Sequence, residues 1–426
     1  MRTAAKMINE VYNIDEFLVK TLAQAEEDCV KYYRNTAETV DINQIKVLKA
    51  MQDNGLSDIH LQGSSGYGYG DIGRTALERI YADIFKSEAA LVRLQMVSGT
   101  HALALAFLGN LSRGEALISA TGRPYDTLHK VIGLHNEYGS LIQQGVKYQE
   151  IALTTEGRID IGRVLAAVTE HTRMVCFQRS RGYDWRPSFG IAQLEEAIHA
   201  VKARYPQIIC LVDNCYGEFV ETREPTEAGA DLAAGSLIKN PGGGLALTGG
   251  YLVGRKELID RAAIRLTAPG IGASVGASLN FNRPALQGLF MAPLVVGEAL
   301  KGAHLAARFF ELLGYPVLPD YQEQRTDIIQ GIRLGSKALM QAFCRGLQRA
   351  CPLDSRAVPE PDLLPGYEHE VIMAGGTFIQ GSSIELSADG PIRPPYDIFL
   401  QGGLTLSHVK IGLLLAAQEI RAEGAR

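Results

Sequence analysis

The chain has 426 residues, 46% hydrophobic and 21% charged, a composition that excludes a disordered or fibrous protein and, at this length, points to a large domain joined to a smaller one. Its 42 basic and 47 acidic residues leave a formal charge of −5, with no long basic run to follow a phosphate backbone, which excludes nucleic acid as the expected partner. The opening MRTAAKMINEVYNIDEF lacks the apolar segment of a signal peptide, and no later stretch reads as the roughly 18 apolar residues of a membrane span, so a cytoplasmic protein is expected.

In chain order, residues 14–52 carry apolar positions at helical spacing, with a break and an N-cap at Asn35-Thr36; two amphipathic helices are expected. The stretch GSSGYGYGDIGR, Gly63 to Arg74, is too rich in glycine for a regular element and predicts a loop, after which TALERIYADIF starts a helix. From there to about residue 300, the apolar runs ALVRLQMV, EALISA, RMVCFQR, IICLVDN and GGYLVGR alternate with helical segments such as HALALAFLGNL and IAQLEEAIHAVKARY. That alternation predicts an α/β fold with a mostly parallel central sheet flanked by helices, whose ligands gather at the carboxyl ends of the strands.

Past residue 300 the pattern becomes a helix near GEALKGAHLAARFFELLG, a proline-rich stretch from Pro352 to Pro365, the string GGTFIQGSSIEL and a last apolar helix near LTLSHVKIGLLLAAQEI. The division this suggests is an N-terminal helical segment over 1–62, a large domain over 63–300 and a smaller α+β domain over 301–426. Neither an internal repeat nor a low-complexity tract appears.

The six cysteines, Cys29, Cys176, Cys210, Cys215, Cys344 and Cys351, form no CxxC pair and are expected as reduced thiols in or near the core. Cys215 follows Asp213-Asn214 and reads as a small packed residue. The nine histidines are dispersed without HExxH, so no metal site is expected. His101 reads as a packing or capping residue.

Four places carry chemistry. Asp213 ends the apolar run IICLVD, where a carboxylate beside a pyridine ring would keep the ring nitrogen protonated; alone, it could equally start a turn. Lys239 stands in SLIKNPGGGLALTGGYLVGR, where a glycine-bounded turn could desolvate the amine and remove its proton, as a Schiff-base nucleophile requires. By itself it reads as a surface lysine. Ser98, Gly99 and Thr100 open a strongly apolar helix, whose N-terminus is either a phosphate site or an ordinary cap. Tyr125, just after EALISA, is placed to lie over a planar cofactor or to pack on the next helix. The order of the four is more informative than any one of them. NPGGG lacks the lysine of a P-loop, and GYGYGDIG does not follow a strand as a dinucleotide fingerprint does.

The strings GYGYGDIGR, VSGTHAL, PYDTL, QRSRGY and DNCYGEFVE…SLIKNPGGG resemble the methionine gamma-lyase/cystathionine beta-lyase-like family, often called aluminium-resistance proteins, within the fold-type-I enzymes that use pyridoxal phosphate (PLP). The resemblance runs from about Gly63 into the C-terminal region. It implies that Lys239 holds the cofactor as a Schiff base, that Asp213 pairs with the pyridine nitrogen, that Tyr125 stacks on the ring, and that Ser98, Gly99, Thr100 and Ser236 hold the phosphate. Ile238 stands where relatives often carry a hydroxyl residue. The resemblance also implies a homodimer or homotetramer, in which a neighbouring subunit's tyrosine and arginine reach the phosphate. Tyr67, Tyr69 and Arg74 are this chain's candidates, although Arg74 reads equally as a helix-start residue facing solvent or Glu78.

For the carboxylate of an amino-acid substrate, a guanidinium fork fits best. Arg393 in ELSADGPIRPPY is the first candidate, and Arg179 in QRSRGY is expected to line the site or to serve as an ion-pair partner. The activity implied is carbon–sulfur bond cleavage in a sulfur amino acid such as cystathionine, cysteine or methionine, with Lys239 taking the α-proton. The alternatives are an aminotransferase or other elimination enzyme on the same scaffold, or a non-catalytic metal-tolerance protein, for which the sequence offers no carboxylate-rich loop.

Overall fold

The computed structural model describes residues 4–424 except Pro365 and Glu368, so the expected end of the proline-rich stretch lies outside the described residues. The chain divides into two compact units, one of 42–182 and 188–293, the other of 1–41, 183–187 and 294–426. Helices run α1 (Ala4–Tyr12), α2 (Glu16–Asp53), α3 (Ile72–Ile84), α4 (Gly99–Asn110), α5 (Asp126–Ile132), α6 (Ile161–Ala167), α7 (Ile191–Arg204), α8 (Lys256–Leu266), α9 (Asn282–Leu312), α10 (Lys337–Arg349) and α11 (Leu406–Gly424).

In the first unit, strands β1 (Ala89–Arg93), β2 (Ala116–Ser119), β3 (Lys147–Glu150), β4 (Thr172–Gln178), β5 (Ile209–Asp213), β6 (Leu232–Ser236) and β7 (Gly250–Gly254) form one sheet in the order β1-β7-β6-β5-β4-β2-β3. The pairs among β2 to β6 are parallel, and β7 alone runs against its neighbours β1 and β6. Every residue of β5, β6 and β7 is buried, as central strands covered by helices on both faces require. Helix α4 is apolar nearly all round and joins Leu103, Leu105, Ala106 and Phe107 to the core formed by Leu211, Leu232 and Leu252. The mostly parallel sheet flanked by helices is the expected architecture.

The second unit carries β8 (Val317–Leu318), β9 (Gln330–Arg333), β10 (Val371–Ala374), β11 (Ser387–Pro391) and β12 (Asp397–Gln401), paired antiparallel in the order β10-β11-β12-β9-β8. Its core joins Ile14, Leu18 and Leu22 to Phe309 and Phe310 of α9, Phe343 of α10 and Leu413 of α11. The first 41 residues therefore belong with the C-terminal unit, where the sequence suggested a separate segment over 1–62. The expected boundary at residue 300 falls inside α9, and the division comes at Pro293 and Leu294.

Two expectations are corrected. Residues 16–53 form one helix rather than two, because the Thr36 hydroxyl donates to the Tyr32 carbonyl four residues back, at 2.9 Å, instead of capping a new helix. Among the described residues, α9 has an apolar window with a mean hydropathy of 1.2, long enough to cross a membrane, but 72% of that window is buried in the protein. The sequence had suggested that no such stretch existed.

Candidate active site

The site is assembled at the carboxyl ends of β4, β5 and β6, together with the N-terminus of α4. Gln178 ends β4 and stands opposite Asp213, which ends β5. The Gln178 side chain accepts the backbone N–H of Tyr125 at 2.7 Å, and the Gln178 backbone N–H donates to the Thr121 hydroxyl at 2.9 Å. This fixes Tyr125 at the start of α5. Gly182, with φ +61°, lets the chain pass close by; a Cβ there would lie 3.1 Å from Tyr125 Cδ2.

Asp213 is buried and accepts the Cys215 N–H at 3.1 Å. Burial pushes its carboxyl above the ordinary range, with the Lys239 charge and the Cys215 hydrogen bonds pulling the other way. A positive group delivered to this carboxylate, such as a protonated pyridine nitrogen, would relieve that penalty. Cys215 is itself buried.

Ser98 is the N-cap of α4, its hydroxyl accepting the His101 N–H at 3.1 Å. The first N–H groups of a helix lack partners within it and, with the helix dipole, attract an anion. A Cβ on Gly99 would stand 3.2 Å from both Cys215 Sγ and Ser236 Cβ, so the α4 terminus abuts the ends of β5 and β6 and only glycine leaves the cup open. Thr100 shares a hydrogen bond with Thr127 at 2.8 Å. His101 accepts the Val97 N–H through Nδ1 at 3.3 Å, and burial lowers its pKa, so it caps as a neutral ring.

Lys239 follows β6 at the start of a tight turn, Asn240–Gly242. The glycines after it serve close packing: a Cβ on Gly242 would meet the Leu237 carbonyl at 1.7 Å, and one on Gly243, φ +54°, the Gly288 carbonyl at 2.3 Å. The Lys239 ammonium lies 3.9 Å from the ring centroid of Tyr216, which holds left-handed backbone at φ 71°. The expected neutral lysine is therefore corrected. Burial pulls the amine down, but Cys215, Tyr216, Asp213 and Glu218 around it outweigh burial and hold it above its ordinary value.

Thus Ser98, Gly99, Thr100, Ser236, Asp213, Lys239 and Tyr125 are brought into one neighbourhood. The other candidates have other partners, although the Arg179 backbone N–H donates to the Asp213 carbonyl at 3.1 Å. Arg179 is fully buried, its guanidinium donating to Glu221 at 2.7 Å and to Asn214 and the Gly217 carbonyl at 2.8 Å; it is an ion-pair partner rather than a lining residue. Arg74 is buried and donates to the carbonyls of Gly68 and Gly276, which makes it a strut of its own loop. Tyr67 and Tyr69 stack on one another at 5.4 Å and stand 71% and 70% exposed. Arg393 belongs to the other unit, exposed in the turn between β11 and β12.

Sequence reasoning passed over Gln178, Tyr216 and the buried pair Glu218 and Tyr251. One signal for the last pair was present. Gly235 inside strand β6 marks a close approach, and a Cβ there would meet Glu218 Oε1 at 2.5 Å and Tyr251 Oη at 2.8 Å.

A model of the methionine gamma-lyase family matches residues 18–421. An uncharacterized protein of Bacillus subtilis is 49% identical over 95% of this chain and 97% of its own length. The crystal structure of a carbon-sulfur lyase involved in aluminum resistance from Clostridium novyi superposes with a TM-score of 0.94 at 46% identity, covering 99% of this chain and 100% of that one. A pyridoxal-5'-phosphate dependent protein of Escherichia coli superposes with a TM-score of 0.60 at 14% identity, over 92% of this chain and 97% of that one. That last likeness is one of fold alone, and the fold is the fold-type-I architecture expected from the sequence.

Proposed function

Because the chain belongs to the methionine gamma-lyase family, we propose that it is a PLP-dependent carbon–sulfur lyase acting on a sulfur-containing amino acid, of the cystathionine beta-lyase or methionine gamma-lyase type. The observation that carries this reading is the meeting of three different requirements in one place: an anion cup at the α4 terminus, a buried carboxylate at the end of β5 and a lysine after β6. The residues fit the cofactor. A Cβ on Gly99 in the cup would crowd Cys215 Sγ and Ser236 Cβ at 3.2 Å, and burial holds the Asp213 carboxyl above its ordinary range despite Lys239.

When bound, PLP supplies an aldehyde that links to amines and a protonated ring that draws electrons from the α-carbon of an attached amino acid. Ser98, Gly99, Thr100 and Ser236 hold the phosphate through hydroxyls and helix N–H groups. Asp213 keeps the proton on the ring nitrogen, and Tyr125 covers the ring. Lys239 would hold the aldehyde, and its Nζ, when not so engaged, would be the base placed to take the α-proton. A tyrosine delivers a proton to the departing sulfur, and Arg393 binds the α-carboxylate. A second copy of the chain presents Tyr67 and Tyr69 to the phosphate in a homodimer or homotetramer.

The test is a screen of cystathionine, cysteine and methionine with PLP-loaded protein, following the visible spectrum, thiol and keto acid. Release of thiol, ammonia and keto acid without an amino acceptor is expected, pyruvate and 2-oxobutyrate reporting different substrates. Lys239→Ala is expected to stay colourless. A requirement for a keto-acid acceptor would replace the lyase by an aminotransferase.

A further inference from the structure

Tyr125 stands at the N-cap of α5, where a backbone N–H has no partner within the helix. Its partner comes from the sheet instead. Gln178, buried at the end of β4, accepts that N–H through Oε1 at 2.7 Å. The other end of the same amide is also committed, Nε2 donating to the Ser180 carbonyl at 3.0 Å. Reversing the amide would set N–H against N–H and oxygen against oxygen, so both ends are specified.

The bond to Ser180 shapes the bend that follows β4, and this bend brings Gly182 against the phenol. A Cβ on Gly182, which has φ +61°, would stand 3.1 Å from Tyr125 Cδ2 and 3.3 Å from Gln178 Nε2. One side-chain amide therefore holds the backbone of Tyr125 with its oxygen, and with its nitrogen it holds the chain on which the edge of the ring rests.

The main chain of Gln178 adds a further tie, its N–H donating to the Thr121 hydroxyl at 2.9 Å. Residues 121–125 are thus hung from Gln178 at both ends. The same residue is the register partner of Asp213 across β4 and β5, while Thr127, two residues past Tyr125, shares a hydrogen bond with Thr100 of the phosphate cup at 2.8 Å. The ring is consequently placed with respect to the acid and to the cup by printed bonds at short range, of which Gln178 makes the central ones.

Resting on the reading that Tyr125 covers the PLP ring, we propose that Gln178 is a positioning residue for the cofactor, acting through Tyr125. Its amide sets where the phenol lies relative to the ring plane that Asp213 and the phosphate cup define. An apolar side chain of similar length leaves the Tyr125 N–H and the Ser180 carbonyl without this partner. The segment then shifts, and the aromatic contact weakens because such contacts depend on ring geometry.

The test measures PLP affinity by absorbance titration of the cofactor-free protein, together with the visible circular dichroism of the bound cofactor. Gln178→Met is expected to weaken binding about two- to tenfold and to reduce the dichroism. In a Tyr125→Ala background the same change is expected to alter neither any further, since a residue that acts through the ring has nothing left to act on, whereas an independent structural role would add its own loss. If Gln178→Met does not fold, Gln178→Glu takes its place; it keeps the acceptor but, while ionised, lacks the donor, and its loss must likewise vanish in Tyr125→Ala. Losses that add in the double variant, or wild-type affinity and dichroism in the single one, overturn the positioning role and leave the lyase reading standing. Wild-type affinity and dichroism in Tyr125→Ala take the phenol off the cofactor and overturn both the positioning role and that part of the proposed site.

Discussion

Lys239 rests its ammonium on the face of Tyr216, 3.9 Å from the ring centroid, and Tyr216 reaches that place in left-handed backbone at φ 71°. A cation over a ring gains about 0.5–2 kcal/mol, and such backbone costs a bulky residue about 1–3 kcal/mol. The turn from Asn214 to Val220 must therefore hold the ring, and the ring in turn favours the charged lysine. Asparagine tolerates the same backbone without the ring. Tyr216→Asn is expected to lower the Lys239 amine by up to about one pH unit, while Tyr216→Phe leaves it in place. The pH dependence of amine labelling at Lys239 in the cofactor-free protein checks this; the same profile in both variants removes the ring from the account. Because the folded amine lies above its unfolded value, its contribution to stability is full below about pH 10 and disappears as the pH rises through the folded value.

Gly99 sets the width of the phosphate cup. A methyl group there must push Cys215 Sγ or Ser236 Cβ from 3.2 Å, and the Ser236 backbone is locked into β6 beside β7. Gly99→Ala is expected to weaken PLP binding about tenfold, roughly 1.4 kcal/mol, and to lower the unfolding midpoint of the cofactor-free protein through overpacking at the same contact. Absorbance titration with PLP measures it. Unchanged affinity would place the phosphate elsewhere.

Asp213, Lys239 and the Ser98 cap could be read from the sequence because each sits beside a local signature: an apolar run, a glycine cluster, a helix start. Glu218 and Tyr251 could not, since they meet across β6, and their partnership shows locally only as the missing side chain of Gly235. Strand β6, LAAGS, is fully buried yet carries mostly small residues, while β3, KYQE, is a largely exposed edge; neither has the pattern that identifies a strand. The false break at Thr36 came from a hydroxyl that can serve either as a cap or as a bond to the preceding turn, and only its surroundings decide which.

Arg179 and Arg393 were rivals for the substrate carboxylate, and they are expected to fail in different ways when replaced. Removing the Arg179 guanidinium strands Glu221 and Glu224 beside a buried Asn214. Arg179→Met is therefore expected to cost about 3–5 kcal/mol in urea unfolding. Arg393→Ala, at an exposed turn, is expected to leave the unfolding midpoint in place and to raise KM for the amino acid about 10- to 100-fold, with a smaller effect on kcat. An unchanged KM would exclude Arg393 from carboxylate binding.

The loop that displays Tyr67 and Tyr69 is held at its end by Asp71. Its carboxylate caps α3 through the Arg74 N–H at 2.8 Å and accepts from Ser64, Ser278 and Asn282. Burial alone would raise this carboxyl, but the bonds from Ser278, Ser64, the Arg74 backbone and Asn282 outweigh it and hold it below the ordinary carboxylate range. With the folded value depressed, the stabilisation is present above the unfolded value of about 4 and is lost as pH falls through the folded one. Asp71→Asn turns an acceptor toward two hydroxyl donors into a partial donor and is expected to cost about 1–3 kcal/mol, read as faster amide exchange across 63–70 relative to β5. If the stacked tyrosines serve a second copy of the chain, the same change is expected to weaken PLP binding in proportion to the loss of assembly, followed by sedimentation at several protein concentrations. Faster exchange with undiminished assembly and cofactor affinity would reduce the tyrosine pair to a surface feature of this loop.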